Sequence, residues 1–158
     1  MADSAGLRLL QFADSHKLRA QRDRSVRYLG GSVKARPNKY LKRVEVQLAE
    51  YFAGERTGFS LAVAPIGTSW QLSVWKQLLD RPFGETLFYE DLARALGRPG
   101  AARAVGSAVG ANPVLIVIPC HRVVPKAGGL GGYAAASWRK KRLLSLERPA
   151  EGRRKRPL

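Results

Sequence analysis

The chain has 158 residues, of which 45% are apolar, so it can form one domain or two small lobes around a buried core and is too apolar to be disordered. No apolar run approaches the roughly 18 residues of a membrane span, and the N-terminus lacks the basic start and long apolar stretch of a signal peptide, so we expect a cytoplasmic protein. A single cysteine excludes an internal disulfide, and one cysteine with two histidines excludes a zinc cluster.

The chain is strongly basic, with a formal net charge of +16 and a pI of about 10.9. The excess is spread along the sequence: residues 1–66 hold 12 basic and 6 acidic residues, and residues 67–158 hold 16 and 6. Such a charge favours a polyanionic partner, with nucleic acid as the leading candidate because neutralised phosphates release counterions. A generally basic surface is the alternative.

The first 66 residues predict a small lobe with one clear helix. Residues 6–12 predict a strand, and the polar, basic residues 14–38 predict loops around a short strand near residues 26–30. Residues 39–55 predict a helix that ends at a glycine, and residues 57–67 predict an extended linker. The apolar face of the helix consists of Leu41, Val44, Leu48, Tyr51 and Phe52.

Three helices are predicted between residues 68 and 110. The first, over residues 68–80, begins at Thr68 or Ser69. Its apolar stripe consists of Leu72, Trp75, Leu78 and Leu79. Two shorter helices, over residues 89–97 and 101–110, are joined by a turn of about four residues and match a helix–turn–helix. A helical corner without DNA-binding function has the same geometry, so both interpretations stay open.

The second helix of this pair has an unusually bare surface. Its small residues are Ala101, Ala102, Gly106, Ser107, Ala108 and Gly110. Val105 and Val109 can face the core, which leaves Arg103 projecting from a slim helix. A slim helix suits close approach to the DNA backbone or the minor groove, where base sequence is poorly distinguished. We therefore predict binding that is largely indifferent to sequence, with Arg103 able to fill the gap left by an extruded base.

The last part of the chain predicts a strand, a loop, a helix and a tail. Residues 114–118 form an apolar run between two prolines and predict a buried strand. Residues 126–133 predict a glycine-rich loop, and residues 137–147 predict a helix capped by Ser137. Residues 149–158 predict a disordered basic tail.

Cys120 follows the predicted strand 114–118 in the stretch IPCHRVV. A thiol in apolar surroundings is inert unless a base or a positive charge lies nearby, and His121 and Arg122 are the local candidates. Adjacent side chains tend to point apart, so His121 would reach the sulfur through a water. Glu147 is a candidate for orienting His121. The alternative is that Cys120 is a small buried hydrophobic residue.

With these residues in view, the sequence resembles the O6-alkylguanine-DNA alkyltransferases, also called methylated-DNA–protein-cysteine methyltransferases. The resemblance rests on IPCHRVV, joined in the same order by FGETLFYEDLA, AARAVGSAVGANP, GGY and LLSLE. It implies an α+β fold, with a small N-terminal α/β lobe of the ribonuclease H-like type, its sheet reduced, over residues 1–66. A mainly helical lobe with a winged helix–turn–helix would follow over residues 67–148, before the tail 149–158.

The resemblance also implies a function: irreversible, single-turnover transfer of an alkyl group from O6 of guanine in DNA to Cys120. His121 would act as a base through water, with Glu147 orienting it. Asn112 would hold the strand that carries the cysteine, and Tyr89 would give a proton to the leaving guanine. The implied partner is double-stranded DNA containing O6-alkylguanine, bound by a monomer without cofactor or metal.

Two further sets of residues are implied. The DNA-binding set consists of Arg103, Tyr89, Ala101, Ala102, Gly106 and Arg122. The substrate pocket consists of Tyr133, Gly131, Gly132, Ala134, Val123 and Leu115. At two of these positions the chain departs from common members of the family, since Ala134 replaces a frequent serine and Leu115 a proline.

Two rival functions remain at this stage. One is a relative that binds damaged DNA without chemistry, although relatives of that kind lack the cysteine. The other is a hydrolase that uses Cys120, His121 and Glu147 and turns over many times.

Overall fold

A computed structural model describes residues 1–31, 33–34 and 38–148, and the predicted tail 149–158 lies outside the described residues. The protein is a mixed fold of helices and a few short strands. The helices are α1 (Leu18–Leu29), α2 (Lys39–Ala53), α3 (Ser69–Leu79), α4 (Tyr89–Ala95), α5 (Ala102–Gly110) and α6 (Ser137–Leu146). The strands are β1 (Ala2–Asp3), β2 (Gly6–Leu7), β3 (Leu87–Phe88) and β4 (Val123–Val124). No described helix combines the length and the apolar character needed to cross a bilayer.

The predicted strand over residues 6–12 is regular only at its start. Strand β2 pairs with β1 in an antiparallel hairpin, with Leu7 opposite Ala2. Beyond it the chain makes single parallel bridges, from Leu7 to Val63 and from Leu10 to Val114. The N-terminal segment therefore joins residues that are far apart in sequence, one of them just before the cysteine.

The prediction of loops and a short strand over residues 14–38 was wrong, because helix α1 occupies Leu18–Leu29. Val26 and Tyr28 favour strands in isolation, and the helix has no side-chain N-cap. The helix ends at Gly30, whose φ of 61° suits a residue without Cβ. Its stability comes from tertiary contacts with distant segments, which sequence periodicity does not reveal.

Helices α2 and α3 were predicted correctly, and their starts have clear physical causes. Asn38 caps α2 by accepting hydrogen bonds from the backbone of Tyr40 and Leu41. Thr68 and Gln71 form a reciprocal capping box at the start of α3. Each cap satisfies backbone N–H groups that the first helical turn leaves unpaired.

The predicted apolar faces need correction in three places. Phe52 is 51% exposed, and Leu72 and Leu79 are each 41% exposed. On α3 the buried residues are Val74, Trp75 and Leu78.

Helix α5 packs against this buried face of α3. Val105, Ala108 and Val109 of α5 are buried, and Trp75 donates its indole N–H to the carbonyl of Ala108 at 2.9 Å. The small residues of α5 leave its other side bare, as predicted.

The apolar run over residues 114–118 is buried as predicted but is not a strand. Ile116 has a φ of 71°, and the amide of Ile118 donates to the carbonyl of Val114, so the run folds back on itself. A single 3-10 turn over Cys120–Arg122 follows, and β4 then pairs in parallel with β3. The predicted cap of α6 at Ser137 was also wrong: Ala136 precedes the helix and makes no side-chain cap.

Substitution of a buried leucine on α3 tests this packing. Leu78→Ala should lower the free energy of unfolding by about 2–5 kcal/mol, because Leu78 is fully buried and the change leaves a cavity. The half-exposed neighbour provides the control: Leu79→Ala should change stability by less than about 1 kcal/mol. Urea denaturation measures both, and equal losses would contradict the packing described.

Candidate active site

Cys120 lies at the start of the 3-10 turn and is 2% exposed. Its Sγ accepts a hydrogen bond from Asn112 Nδ2 at 3.0 Å. The same amide nitrogen donates to the carbonyl of Ile118 at 2.8 Å, and Asn112 Oδ1 accepts from the amide of Val114 at 2.9 Å. Asn112 thus ties the folded-back run to the sulfur.

His121 follows Cys120 in the 3-10 turn, is buried, and is oriented by a carboxylate. Its Nε2 lies 2.9 Å from Glu147 Oε1, and its buried Nδ1 has no hydrogen-bond partner in the part of the chain that the structure describes. Since Glu147 is an acceptor when ionised, Nε2 carries the proton and Nδ1 presents a lone pair. Burial lowers the pKa of His121, although Glu147 opposes this, so the ring is neutral at pH 7 and able to take a proton.

Glu147 collects donors from several parts of the chain. Its carboxylate accepts hydrogen bonds from Tyr51 Oη at 2.7 Å, from Arg122 Nε at 2.8 Å and from the amide of Gly84 at 3.3 Å. Burial alone would raise the pKa of Glu147, but the hydrogen bonds from His121, Arg122 and Tyr51 hold it well below its usual range. The carboxylate therefore stays ionised at neutral pH.

Gly84 lies in the turn before β3, at a position where only a glycine fits. Its φ is 80°, and a Cβ there would lie 2.7 Å from the backbone oxygen of Glu147. Only a glycine can bring its amide this close to the carboxylate without strain.

The prediction that Arg122 contacts DNA needs correction. Arg122 is buried, and its Nε and Nη2 hold the two oxygens of Glu147 as a fork, while Nη1 donates to the carbonyl of Arg81. A guanidinium held this way has no reach to a phosphate. It belongs to the network that fixes His121.

Burial raises the pKa of the Cys120 thiol to about 11. The amide of Asn112 and the charges of Lys140 and Lys17 oppose that rise. The thiol is therefore protonated at neutral pH in the free protein and needs a base in order to react.

Lys140 is a site residue that sequence reasoning missed. It is fully buried on α6, where its Nζ donates to the carbonyl of Val123 at 2.6 Å and of Gly132 at 3.4 Å. Burial lowers its pKa to about 8, an effect that Cys120 opposes. In the sequence Lys140 lies among exposed basic residues and looks like one of them. The available signal for its burial was its position seven residues before Glu147.

Tyr89 and Tyr133 are two further titratable groups of the site. Burial raises the pKa of each tyrosine, and negative charge on Cys120 would raise it further. A Cβ at Gly131 would lie 2.9 Å from Pro125 and 3.6 Å from the hydroxyl of Tyr89, so the glycine loop passes closely over this tyrosine.

The remaining predicted residues are divided between surface and core. Arg103 is exposed on α5, whereas Leu115 and Val123 are buried. Gly106 lies against the ring of Tyr89, at 3.8 Å from where a Cβ would be, which brings α5 close to α4. The geometry assigns no ligand contact to four of the predicted residues, so their predicted roles stay predictions: Ala101, Ala102, Gly132 and Ala134.

Comparison with known proteins identifies the family of this chain. Residues 69–149 match the family model of the 6-O-methylguanine DNA methyltransferase DNA-binding domain. The inducible methylated-DNA–protein-cysteine methyltransferase of Bacillus subtilis (strain 168) is 43% identical over 76% of this chain and 67% of its own length. The corresponding protein of Mycobacterium tuberculosis (strain H37Rv) is 51% identical over 65% of this chain and 62% of its own.

Two solved structures are similar as well. The crystal structure of Mycobacterium tuberculosis OGT in complex with DNA is 50% identical, with a TM-score of 0.65 over 66% of this chain and 63% of that one. The O6-methylguanine-DNA methyltransferase from Pyrococcus kodakaraensis strain KOD1 is 28% identical, with a TM-score of 0.64 over 92% and 88%. From the matched domain and these relatives, this chain belongs to the 6-O-methylguanine DNA methyltransferase family.

Proposed function

We propose that this protein repairs DNA by moving an alkyl group from O6 of guanine onto Cys120 in a single, irreversible turnover. The observation that carries the proposal is the burial of the consecutive residues Cys120 and His121: the thiol is protonated, and the neutral imidazole has its Nε2 held by Glu147 and no partner for its Nδ1 among the described residues. The family to which the chain belongs supports the same reaction.

The chemistry is a displacement at the alkyl carbon. The thiol gives its proton through a water to His121 Nδ1, and the Glu147 carboxylate stabilises the imidazolium that forms. The sulfur then bonds to the alkyl carbon as the carbon–O6 bond breaks and its electron pair leaves with guanine. The Tyr89 hydroxyl protonates the leaving base and recovers a proton from His121, so that the thiol proton ends on guanine. The thioether product has no good leaving group, and the protein is consumed.

DNA recognition is assigned to helices α4 and α5 as a winged helix–turn–helix within residues 67–148. The bare outer side of α5 suits the minor groove, and the exposed Arg103 would occupy the stack after the damaged base is everted. The base would enter between Tyr89 and the loop that carries Tyr133. Residues 1–66 would form the reduced ribonuclease H-like lobe of a monomer that acts on DNA inside the cell.

A lesion-binding protein without chemistry is the second candidate. It is favoured by one observation: Cys120 is 2% exposed and burial raises its pKa to about 11. An everted base must therefore displace covering residues before it can reach the sulfur.

Mass spectrometry after incubation with duplex DNA containing O6-methylguanine tests the reaction. We expect the mass of one methyl group on Cys120, saturating at one equivalent of protein, since nothing regenerates the thiol. Cys120→Ala should bind the DNA without gaining mass. Binding without transfer by the unaltered protein would leave the lesion-binding function, and repeated turnover would indicate a hydrolase.

Replacement of the central carboxylate should change both repair and acid stability. Glu147→Gln leaves Arg122 buried without its counter-charge and should cost about 3–5 kcal/mol of unfolding free energy at pH 7. The folded pKa of Glu147 lies below its unfolded value, so its contribution is present above pH about 4.3 and is lost as the pH falls further.

Urea denaturation between pH 7 and acid pH measures this effect. The unaltered protein should lose stability more steeply on acidification than Glu147→Gln. The exposed Glu45→Gln is the control and should follow the unaltered protein. Parallel pH profiles for the unaltered protein and Glu147→Gln would contradict the assigned ionisation.

Arg103→Ala tests the eversion step. Because Arg103 is exposed, stability should change by no more than about 0.5 kcal/mol. Methyl transfer from duplex DNA should slow by on the order of tenfold, whereas transfer from a single-stranded oligonucleotide should slow much less, since no pairing opposes extrusion there. Lys141→Ala removes an exposed charge on α6 and is the control: it should change the rate of transfer from either substrate little. Equal slowing of duplex and single-strand transfer by Arg103→Ala would contradict the role.

A further inference from the structure

Three side chains from the N-terminal part of the chain hold the backbone just after α5. Lys17 Nζ donates to the carbonyl of Gly110 at 2.8 Å, and Gln11 Nε2 donates to the carbonyl of Asn112 at 3.0 Å. Gln21 Nε2 donates to the carbonyls of Ala111 and Asn112, both at 3.3 Å. Backbone bonds between Leu10 and residues 113–115 continue the same contact. The segment 110–112 is thus held by side chains about 90 to 100 positions earlier in the sequence.

The segment held in this way is the one that positions the sulfur. Asn112 has its carbonyl bound by Gln11 and Gln21, and its side-chain amide donates to Cys120 Sγ. A shift of the backbone at residue 112 therefore moves the only side-chain hydrogen bond described at the sulfur. Lys17 holds the residue at the end of α5 and so restrains the same segment from its other side.

Lys17 differs from the two glutamines because it carries a full charge. An ammonium at the C-terminal end of a helix complements the partial negative charge of the last carbonyls. A positive charge at this position also favours the thiolate of Cys120 against the effect of burial, in addition to the larger contributions of Asn112 and Lys140. The charged and titratable groups around the thiol from all packed elements are Lys17, Lys140, His121, Tyr89 and Tyr133, with Glu147 and Arg122 behind His121.

We propose that Lys17 is a positioning residue for alkyl transfer, through which the N-terminal segment holds the end of α5 and stabilises negative charge on the sulfur of Cys120. This inference rests on the proposed function. It assigns to Lys17, the residue immediately before α1, a role in the reactivity of a residue about 100 positions away.

The test is the rate of methyl transfer in a single turnover at saturating DNA, measured from pH 6 to pH 9 for three variants. Lys17→Gln keeps a polar side chain and removes the charge, and Lys17→Arg keeps the charge. Arg19→Gln is the matched control: it removes an equal charge from the first turn of α1, where the side chain is exposed. At saturating DNA the measured rate reports the transfer step and is independent of DNA affinity. Any loss of affinity caused by removing a positive charge should occur in Arg19→Gln as well as in Lys17→Gln.

Lys17→Gln should raise the thiol pKa and so lower the fraction of thiolate at pH 7. Transfer should then slow by about threefold for each unit of that rise, because a more basic thiolate is also a stronger nucleophile and offsets part of the lost thiolate. From pH 6 to pH 9 the deficit should stay constant, because this range lies below the thiol pKa of about 11, and Lys17→Arg should restore most of the rate. Arg19→Gln should leave the saturated rate unchanged. No deficit in Lys17→Gln, no recovery in Lys17→Arg, or an equal deficit in Arg19→Gln would overturn the proposal.

A second measurement separates this inference from the proposed function. The rate at which iodoacetamide modifies Cys120, over the same pH range and without DNA, reports the ionisation of the thiol directly. If the unaltered protein transfers no methyl group, the proposed function fails. Slower modification of Cys120 in Lys17→Gln throughout this range, absent in Arg19→Gln, would still support the charge effect of Lys17. Identical profiles in all variants would overturn it.

Discussion

The buried carboxylate of Glu147 is the interaction on which the rest of this structure depends. It accepts from Tyr51 on α2, from His121 and Arg122 beside the cysteine, and from the backbone of Gly84 before β3, so one side chain joins three segments to the end of α6. An ionised carboxylate can be buried only when donors satisfy its oxygens. The same donors that make its burial tolerable also fix the imidazole in the tautomer that can accept a proton.

The surroundings of the sulfur leave both groups of the proposed proton transfer neutral. In the free protein the thiol of Cys120 and the ring of His121 are both neutral, because burial disfavours either charge. Proton transfer creates a thiolate and an imidazolium together, and the surroundings already hold Glu147 for the cation and Lys140 for the anion. A protein consumed by its own reaction gains from such a resting state, since an ionised thiol would react with other electrophiles.

The N-terminal part of the chain takes part in the site that the C-terminal part contains. Tyr51 reaches Glu147 from α2, and Gln11, Lys17 and Gln21 hold the backbone that carries Asn112. The family match begins at residue 69, so these contacts come from outside the matched domain. The most specific motif therefore depends on a less recognisable segment for the position of its sulfur.

The sequence by itself determined what local chemistry dictates: the capped helices α2 and α3, the slim helix α5, and the motif around Cys120 that indicates the reaction. It did not reveal α1, the fold-back of residues 114–118, the burial of Lys140, or the turn of Arg122 inward to Glu147. Each of these depends on partners 17 or more positions away, or on a backbone bend with a positive φ. Helix caps and apolar periodicity act between near neighbours and are legible in a sequence, whereas the partner of a buried charge is decided only when distant segments pack together.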